Sequence, residues 1–143
     1  MAPFVSQIEI ARPADEVFAY VTDPARFPEW QHDVVDVRLG AGETFTTRRR
    51  IGRPERTMTQ RVTVNDPPRR WAVRALDGPV RPNAEITVEP LGDRSRVTFS
   101  LDFEGRGIGR LLVPLVVRRG ARKGAPVSYR RLKERLEGVR HTR

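Results

Sequence analysis

The stretch that decides the fold runs from Arg12 to Trp30: RPADEVFAYVTDPARFPEW. Pro13 opens a helix, because its missing N–H costs nothing in a first turn, and Asp15 and Glu16 follow at the positive end of the dipole. Ala14, Val17, Phe18 and Val21 then fall on one helical face. Asp23 and Pro24 repeat the start signal, as cap and first residue of a second, short helix. Pro28 is expected to end that helix, with Trp30 just beyond it.

Outward from this stretch the pattern is β. Upstream, Phe4, Ser6, Ile8 and Ile10 alternate with Val5, Gln7 and Glu9, a strand with one apolar face. Downstream, Val35, Val37 and Leu39 suggest a strand closed by Gly40 and Gly42, and Phe45 to Ile51 forms another, with Gly52 and Pro54 as its turn. Met58, Gln60, Val62 and Val64 make the next, stopped by Asn65, Asp66, Pro67 and Pro68. Trp71, Val73 and Ala75 follow, then Ala84, Ile86 and Val88, a turn at Gly92 and Asp93, and Val97, Phe99, Leu101 and Phe103. Strands this closely spaced pair antiparallel, since parallel crossovers need a dozen or more residues. The last segment is helical. Ile108, Leu111, Leu112, Leu115 and Val116 share a face whose phase continues through Arg119 and Arg122 to Tyr129, Leu132 and Leu136. Unbroken to Glu137, this helix would span about 45 Å. Gly120, Gly124 and Pro126 weaken its middle and predict a kink or break near Pro126. Gly138 to Arg143 reads as a frayed tail.

The Arg12–Trp30 segment resembles the opening of the START-like superfamily, which includes polyketide cyclases/dehydrases, lipid-transfer domains and the birch-pollen-allergen type. The late segment with Tyr129, Leu132, Lys133 and Glu137 is similar to that superfamily's C-terminal helix. The resemblance covers nearly the whole chain. It implies an α+β helix-grip fold: a seven-stranded curved antiparallel sheet around a long C-terminal helix, with two short helices after the first strand. A cavity is then expected between sheet and helix. The Gly- and Arg-rich middle of the helix departs from the pattern and interrupts a smooth apolar wall at that level.

Bulk properties agree with one domain over residues 1–143. With no cysteine in the sequence, thiolate metal sites, a cysteine nucleophile and disulfides are excluded; a cytoplasmic protein is expected. No signal peptide and no apolar run long enough to span a bilayer are read. Formal charge is +9, carried almost wholly by arginine. This invites a polyanion-binding reading. A coding preference for arginine is the favoured explanation, and nucleic acid is not the expected partner.

Catalytic motifs are absent from the pattern. Gly105, Gly107 and Gly109 sit where a dinucleotide fingerprint would, but position 110 is Arg110 and no βαβ unit surrounds them. They read as a flexible turn into the helix. His32 and His141 are too far apart for a metal site of recognised spacing, and neither they nor Ser6, Ser95, Ser100 and Ser128 have a sequence-adjacent partner. No metal and no cofactor are expected.

Cavity candidates come from each element. Phe27 belongs to the second short helix, and Trp30 lies just beyond it. Arg49, Met58, Gln60, Trp71, Val73, Ile86, Phe99 and Leu101 lie on inward strand positions. Leu112, Leu115, Val116 and Arg119 lie on the long helix. Strand alternation turns Arg49 inward while Arg48 and Arg50 face out. An inward Arg49 either holds a ligand carboxylate or reaches water from a strand end. The expected partner is a small hydrophobic or amphipathic molecule such as a lipid, polyketide or aromatic metabolite. A cyclase or dehydratase using Arg49, Gln60 or His32 is the alternative. No oligomeric state is set, and a homodimer is allowed.

Overall fold

A computed structural model describes residues 4–50, 53–76, 80–105 and 118–138. The elements are β1 (Phe4–Ile10), α1 (Ala14–Val21), a 3₁₀ turn (Pro24–Arg26), α2 (Phe27–Trp30), β2 (Val34–Leu39), β3 (Thr44–Arg50), β4 (Glu55–Asp66), β5 (Arg70–Ala75), β6 (Val80–Leu91), β7 (Arg94–Gly105) and α3 (Arg118–Glu137).

All seven strands form one antiparallel sheet in the order β1-β7-β6-β5-β4-β3-β2. The chain starts at one edge, crosses to the other through α1 and α2, and returns by successive hairpins until β7 pairs with β1. The β6–β7 hairpin turns on Gly92 and Asp93 between the paired residues Leu91 and Arg94. Gly92 has φ +70°, the positive value that a II′ turn needs at its first central position.

The helical stretch follows its sequence signals with one change. Asp23 caps the 3₁₀ turn, accepting a hydrogen bond from the Ala25 N–H at 3.1 Å. Pro28 does not end the second helix; it lies inside the first turn of α2, and Trp30 is the last residue of that helix. A first-turn proline loses only an N–H that has no intrahelical partner.

β2 also differs from its expected phase. Its pairing with β3 shifts between Val34 and Asp36, so Val34 and Val37 are inward while Val35 and Leu39 stay exposed. An extra residue in an edge strand inverts every side chain on one side of it. β4 and β6 are longer than read, twelve residues each.

The core lies between the inner sheet face and the helices. Ile10, Val88 and Val97 from the sheet meet Val17, Phe18 and Val21 of α1 and Leu132 of α3. α3 packs on α2 and β1, and α1 on β6 and β7. The expected break near Pro126 does not occur, since helical backbone runs unbroken from Arg118 to Glu137. A proline removes one ladder bond, which the remaining turns of a docked helix tolerate. The far end of α3 is tied to the β1–α1 junction. Glu137 Oε2 accepts from the Ala11 N–H at 2.6 Å, Arg12 Nε donates to the Leu136 carbonyl at 2.8 Å, and Lys133 Nζ donates to the Glu9 carbonyl at 2.9 Å. Gly138, expected to fray, is buried. Residues 139–143 lie outside the described residues, as do Ile108, Leu112, Leu115, Val116 and glycines 107 and 109.

Candidate functional site

The sheet's alternation brings one set of side chains to the inner face. β3 contributes Phe45, Thr47 and Arg49; β4 contributes Met58 and Gln60; β5 contributes Trp71, Val73 and Ala75. Registers align them across strands. Phe45 is paired with Gln60, Thr47 with Met58, Trp71 with Ile86, and Ile86 in turn with Phe99. Ala84 of β6 is opposite Leu101.

Aromatic rings run across this face in a connected chain. Trp71 stacks on Phe45 with centroids 6.3 Å apart, and the edge of Phe27 meets both, at 6.1 and 5.8 Å. Phe27 meets Trp30 edge-on at 6.0 Å, and Trp30 lies 5.9 Å from Phe99. Phe99 stacks on Tyr129 of α3 at 4.6 Å and 17°. The short helix α2 thus places Phe27 and Trp30 between the sheet and the long helix, and α3 closes the chain. Edge-to-face and offset stacks of this kind contribute about 0.5–1.5 kcal/mol per pair beyond area burial.

Four polar features are set into this wall. Thr47 is fully buried and Gln60 is 5% exposed, and Thr47 Oγ1 donates to Gln60 Oε1 at a long 3.4 Å. Among the described residues that is the only side-chain hydrogen bond of Gln60. The Trp30 indole, 3% exposed, has its Nε1–H buried without an acceptor among the described residues. A buried donor in that position costs about 1–3 kcal/mol. Tyr129 carries a phenol whose pKa is raised, by burial first, with the nearby Ser6 hydroxyl opposing.

Arg49 is inward, as strand alternation requires, and its charge has a partner. Its Nη1 lies 3.0 Å from Asp33 Oδ1, with side-chain exposures of 20% and 25%. Val34, the neighbour of Asp33, is the β2 residue registered with Arg49, so the hairpin delivers the carboxylate. Arg48 and Arg50 face out, and both bind Glu55.

His32 has a partner that lies 96 residues along the chain. Its backbone N–H donates to Ser128 Oγ at 3.1 Å, and its Nδ1 lies 3.2 Å from the same oxygen. Ser128 is buried on α3, so this exposed histidine joins the loop after α2 to the helix. The side chains of Arg119 and Arg122 lie outside the described residues. Phe45, Thr47, Asp33, Ser128 and Tyr129 complete the constellation and were not among the cavity candidates read from sequence. Tyr129 had a signal, the apolar phase of its helix. Asp33 and Ser128 had none, because hairpin register and helix docking alone bring them in.

A second feature lies outside this wall, between α2 and α3. It is an open cleft of about 490 Å³ lined by Pro28, Glu29, Arg131, Glu134 and Arg135. Glu29 accepts the Tyr20 O–H at 2.8 Å. Burial first, and that carboxylate second, push the Tyr20 phenol well above its ordinary value. Among the described residues no group of three His, Asp or Glu side chains is placed to hold a metal ion, and no helix is long and apolar enough to cross a membrane.

Residues 1–137 match the family model described as polyketide cyclase / dehydrase and lipid transport. The chain belongs to that family. The fold is shared with a START superfamily protein from Mycobacterium smegmatis, at TM-score 0.77 and 17% identity over 97% of this chain and 99% of that one. It is shared equally with a protein from Thermus thermophilus, at TM-score 0.77 and 16% identity over 96% and 98%. The Zhui aromatase/cyclase from a Streptomyces species superposes at TM-score 0.75, with 20% identity over 94% and 95%. No curated protein matches the chain in sequence.

Proposed function

From membership of the polyketide cyclase/dehydrase and lipid transport family, we propose that the chain is a single ligand-binding domain. It holds a small apolar or amphipathic molecule between the inner sheet face and α3. The observation that carries this reading is the composition of the wall. A run of aromatic rings contains a buried indole N–H without an acceptor among the described residues and a glutamine amide with one long bond. A core built only for packing satisfies or omits such groups. Ligand sites combine apolar lining with a few placed polar groups. A lipid, a polyketide or an aromatic metabolite fits that description, and an absence of cysteine suits a cytoplasmic setting.

Native mass spectrometry of the protein as purified from cells, followed by organic extraction, tests the proposal. A co-purifying apolar molecule is expected. An empty mass, joined by no retention of any compound in equilibrium dialysis against lipid and aromatic panels, overturns it.

A cyclase or dehydratase activity in the same place is the second reading. It is favoured by one contact, His32 Nδ1 at 3.2 Å from Ser128 Oγ, which gives the histidine an orienting partner. Arg49 suits that reading less well, because Asp33 already neutralises it. Turnover of a polyketide substrate that survives His32→Ala and Gln60→Ala together would reject these residues as its machinery.

A further inference from the structure

The two edges of the sheet differ in how they are covered. At one edge α3 packs on β1, and Lys133 Nζ donates to the Glu9 carbonyl at 2.9 Å. At the other edge β2 has β3 as its one strand neighbour among the described residues. The Gly40 N–H donates to the Thr44 carbonyl at 3.0 Å, closing the β2–β3 hairpin. Backbone direction alternates along an antiparallel strand. Arg38 and Asp36 therefore turn their N–H and C=O toward β3 as Gly40 does, and Val37 and Leu39 turn theirs to the open edge. Among the described residues nothing bonds to those outward groups.

The side chains of β2 are complementary to β2 itself. Val35 is 36% exposed and Leu39 64%, two of the four exposed large apolar residues among those described. Asp36 and Arg38 stand on either side of Val37. Both bonds from Arg48 to Asp36 end on Oδ2, at 3.2 and 2.6 Å, so Oδ1 has no partner among the described residues. The Arg38 side chain is exposed and makes no ion pair or hydrogen bond among them. Antiparallel pairing about a two-fold axis at Val37 sets Val37 opposite its own copy, where the two residues exchange both N–H···O=C bonds. The same axis sets Asp36 opposite Arg38 of the second copy, twice, at the non-hydrogen-bonded positions where side chains come closest. Leu39 comes opposite Val35, apolar against apolar. An axis at Asp36 or at Arg38 opposes like charges instead and brings together backbone groups that β3 already uses.

We propose that β2 pairs with β2 of a second copy of this chain, joining the two sheets edge to edge. An open edge offers its backbone groups to any extended segment. The order Asp36, Val37, Arg38 selects its own copy, because opposite charges then meet on both sides of the axis. The bulge between Val34 and Asp36 limits the shared ladder to Val35–Leu39. The interface is therefore small, and the dimer is weak, with a Kd on the order of micromolar or above.

The test is sedimentation velocity of the full chain from about 5 to about 500 μM, where a small interface associates. A monomer–dimer equilibrium is expected. Val37→Pro removes the central N–H at a position where an edge strand tolerates proline. It should abolish the dimer while circular dichroism shows the fold retained. Arg38→Glu and Asp36→Lys each set like charges opposite one another, and each should weaken self-association about tenfold. Asp36→Lys also loses the exposed bond to Arg48, which adds little to folding stability. Mixed together, these two variants restore both opposite-charge pairs, and a heterodimer as tight as the natural dimer is expected. Three results would overturn the proposal: a monomer still at about 500 μM, a dimer unchanged by Val37→Pro, or charge variants that associate as tightly alone as mixed.

Discussion

Glu137 stands in the last turn of α3, where a carboxylate opposes the helix dipole at a cost of about 0.3–1 kcal/mol. A residue that is locally unfavourable there needs a tertiary reason, and the structure supplies one. Its Oε2 accepts the Ala11 N–H at 2.6 Å and lies 2.8 Å from Lys133 Nζ. Glu137→Ala removes a charge-assisted bond to a backbone donor, about 1.5–3 kcal/mol. It also removes an (i, i+4) ion pair whose lysine is half exposed, about 0.3–0.5 kcal/mol. Relief of the dipole offsets part of this, leaving a net loss of about 1.5 kcal/mol. Urea unfolding reads it directly, because Trp30 and Trp71 are both buried and report on the core. With a slope of about 2 kcal/mol/M, the midpoint should fall by about 0.7 M. Hydrogen exchange should quicken at the β1–α1 junction and the end of α3 while the β5–β6 pairing stays protected. A midpoint shift below about 0.2 M would show that the bond to Ala11 does not hold the helix.

Phe27 touches Trp30, Phe45 and Trp71, so Phe27→Ala should cost about 3–5 kcal/mol in the same urea assay; a cost near 1 kcal/mol would mean that the rings repack freely. Trp30→Phe should be close to neutral, within about 1 kcal/mol, because the lost ring volume is offset by removal of a buried donor without an acceptor. A loss well above 2 kcal/mol would mean that Nε1 is satisfied in solution. Tyr20 and Tyr129, the only tyrosines, both have phenols raised above the ordinary value near 10. A raised folded value makes the unfolded chain lose these protons first. Their contribution to stability is therefore complete below about pH 10 and declines as pH climbs toward the folded values. Absorbance titration should show less phenolate in the folded protein near pH 10 than two ordinary tyrosines give, and an ordinary curve there without unfolding would contradict the burial of the rings.

The sequence carried the fold because its signals were local and redundant. Turn residues separated every strand from the next, and the Asp23–Pro24 signal coincided with a real cap. Where one residue altered the geometry, pattern reading failed. The bulge between Val34 and Asp36 is invisible in a Val-Val-Asp-Val run, since either valine can begin the inward series. Pro28 looked like a stop because a proline stops a helix only if the helix has already begun. The strand candidates Arg49, Met58, Gln60, Trp71, Val73, Ile86, Phe99 and Leu101 do share the inner face. Alternation requires that of any correctly phased strand, so the site was legible to the extent that the sheet was. The contacts of Arg49 and His32 were not legible. Asp33 and Ser128 reach them through hairpin register and helix docking, which no local pattern encodes.

The distribution of polar groups over the inner face bears on how a ligand would lie. On β3 and β4 the wall carries Thr47, Gln60 and the Arg49–Asp33 pair. On β6 and β7 it is formed by Ile86, Val88, Val97 and Phe99, and buried Ser95 there is occupied, its Oγ donating to the Arg12 carbonyl at 2.7 Å. Desolvating a ligand's polar end costs least where donors and acceptors are incompletely matched, and on the strands that is Gln60 with its single long bond. An amphipathic molecule would therefore set its oxygen-bearing end toward Gln60 and its apolar body along Phe99 and Tyr129. Gln60→Leu separates this orientation from a purely apolar fit. If orientation by the amide is real, the substitution should weaken a hydroxyl- or carbonyl-bearing ligand by about tenfold, the worth of one neutral hydrogen bond of about 1–1.5 kcal/mol. It should leave a pure hydrocarbon of the same size unaffected or bound more tightly. Equal effects on both would place the polar end elsewhere.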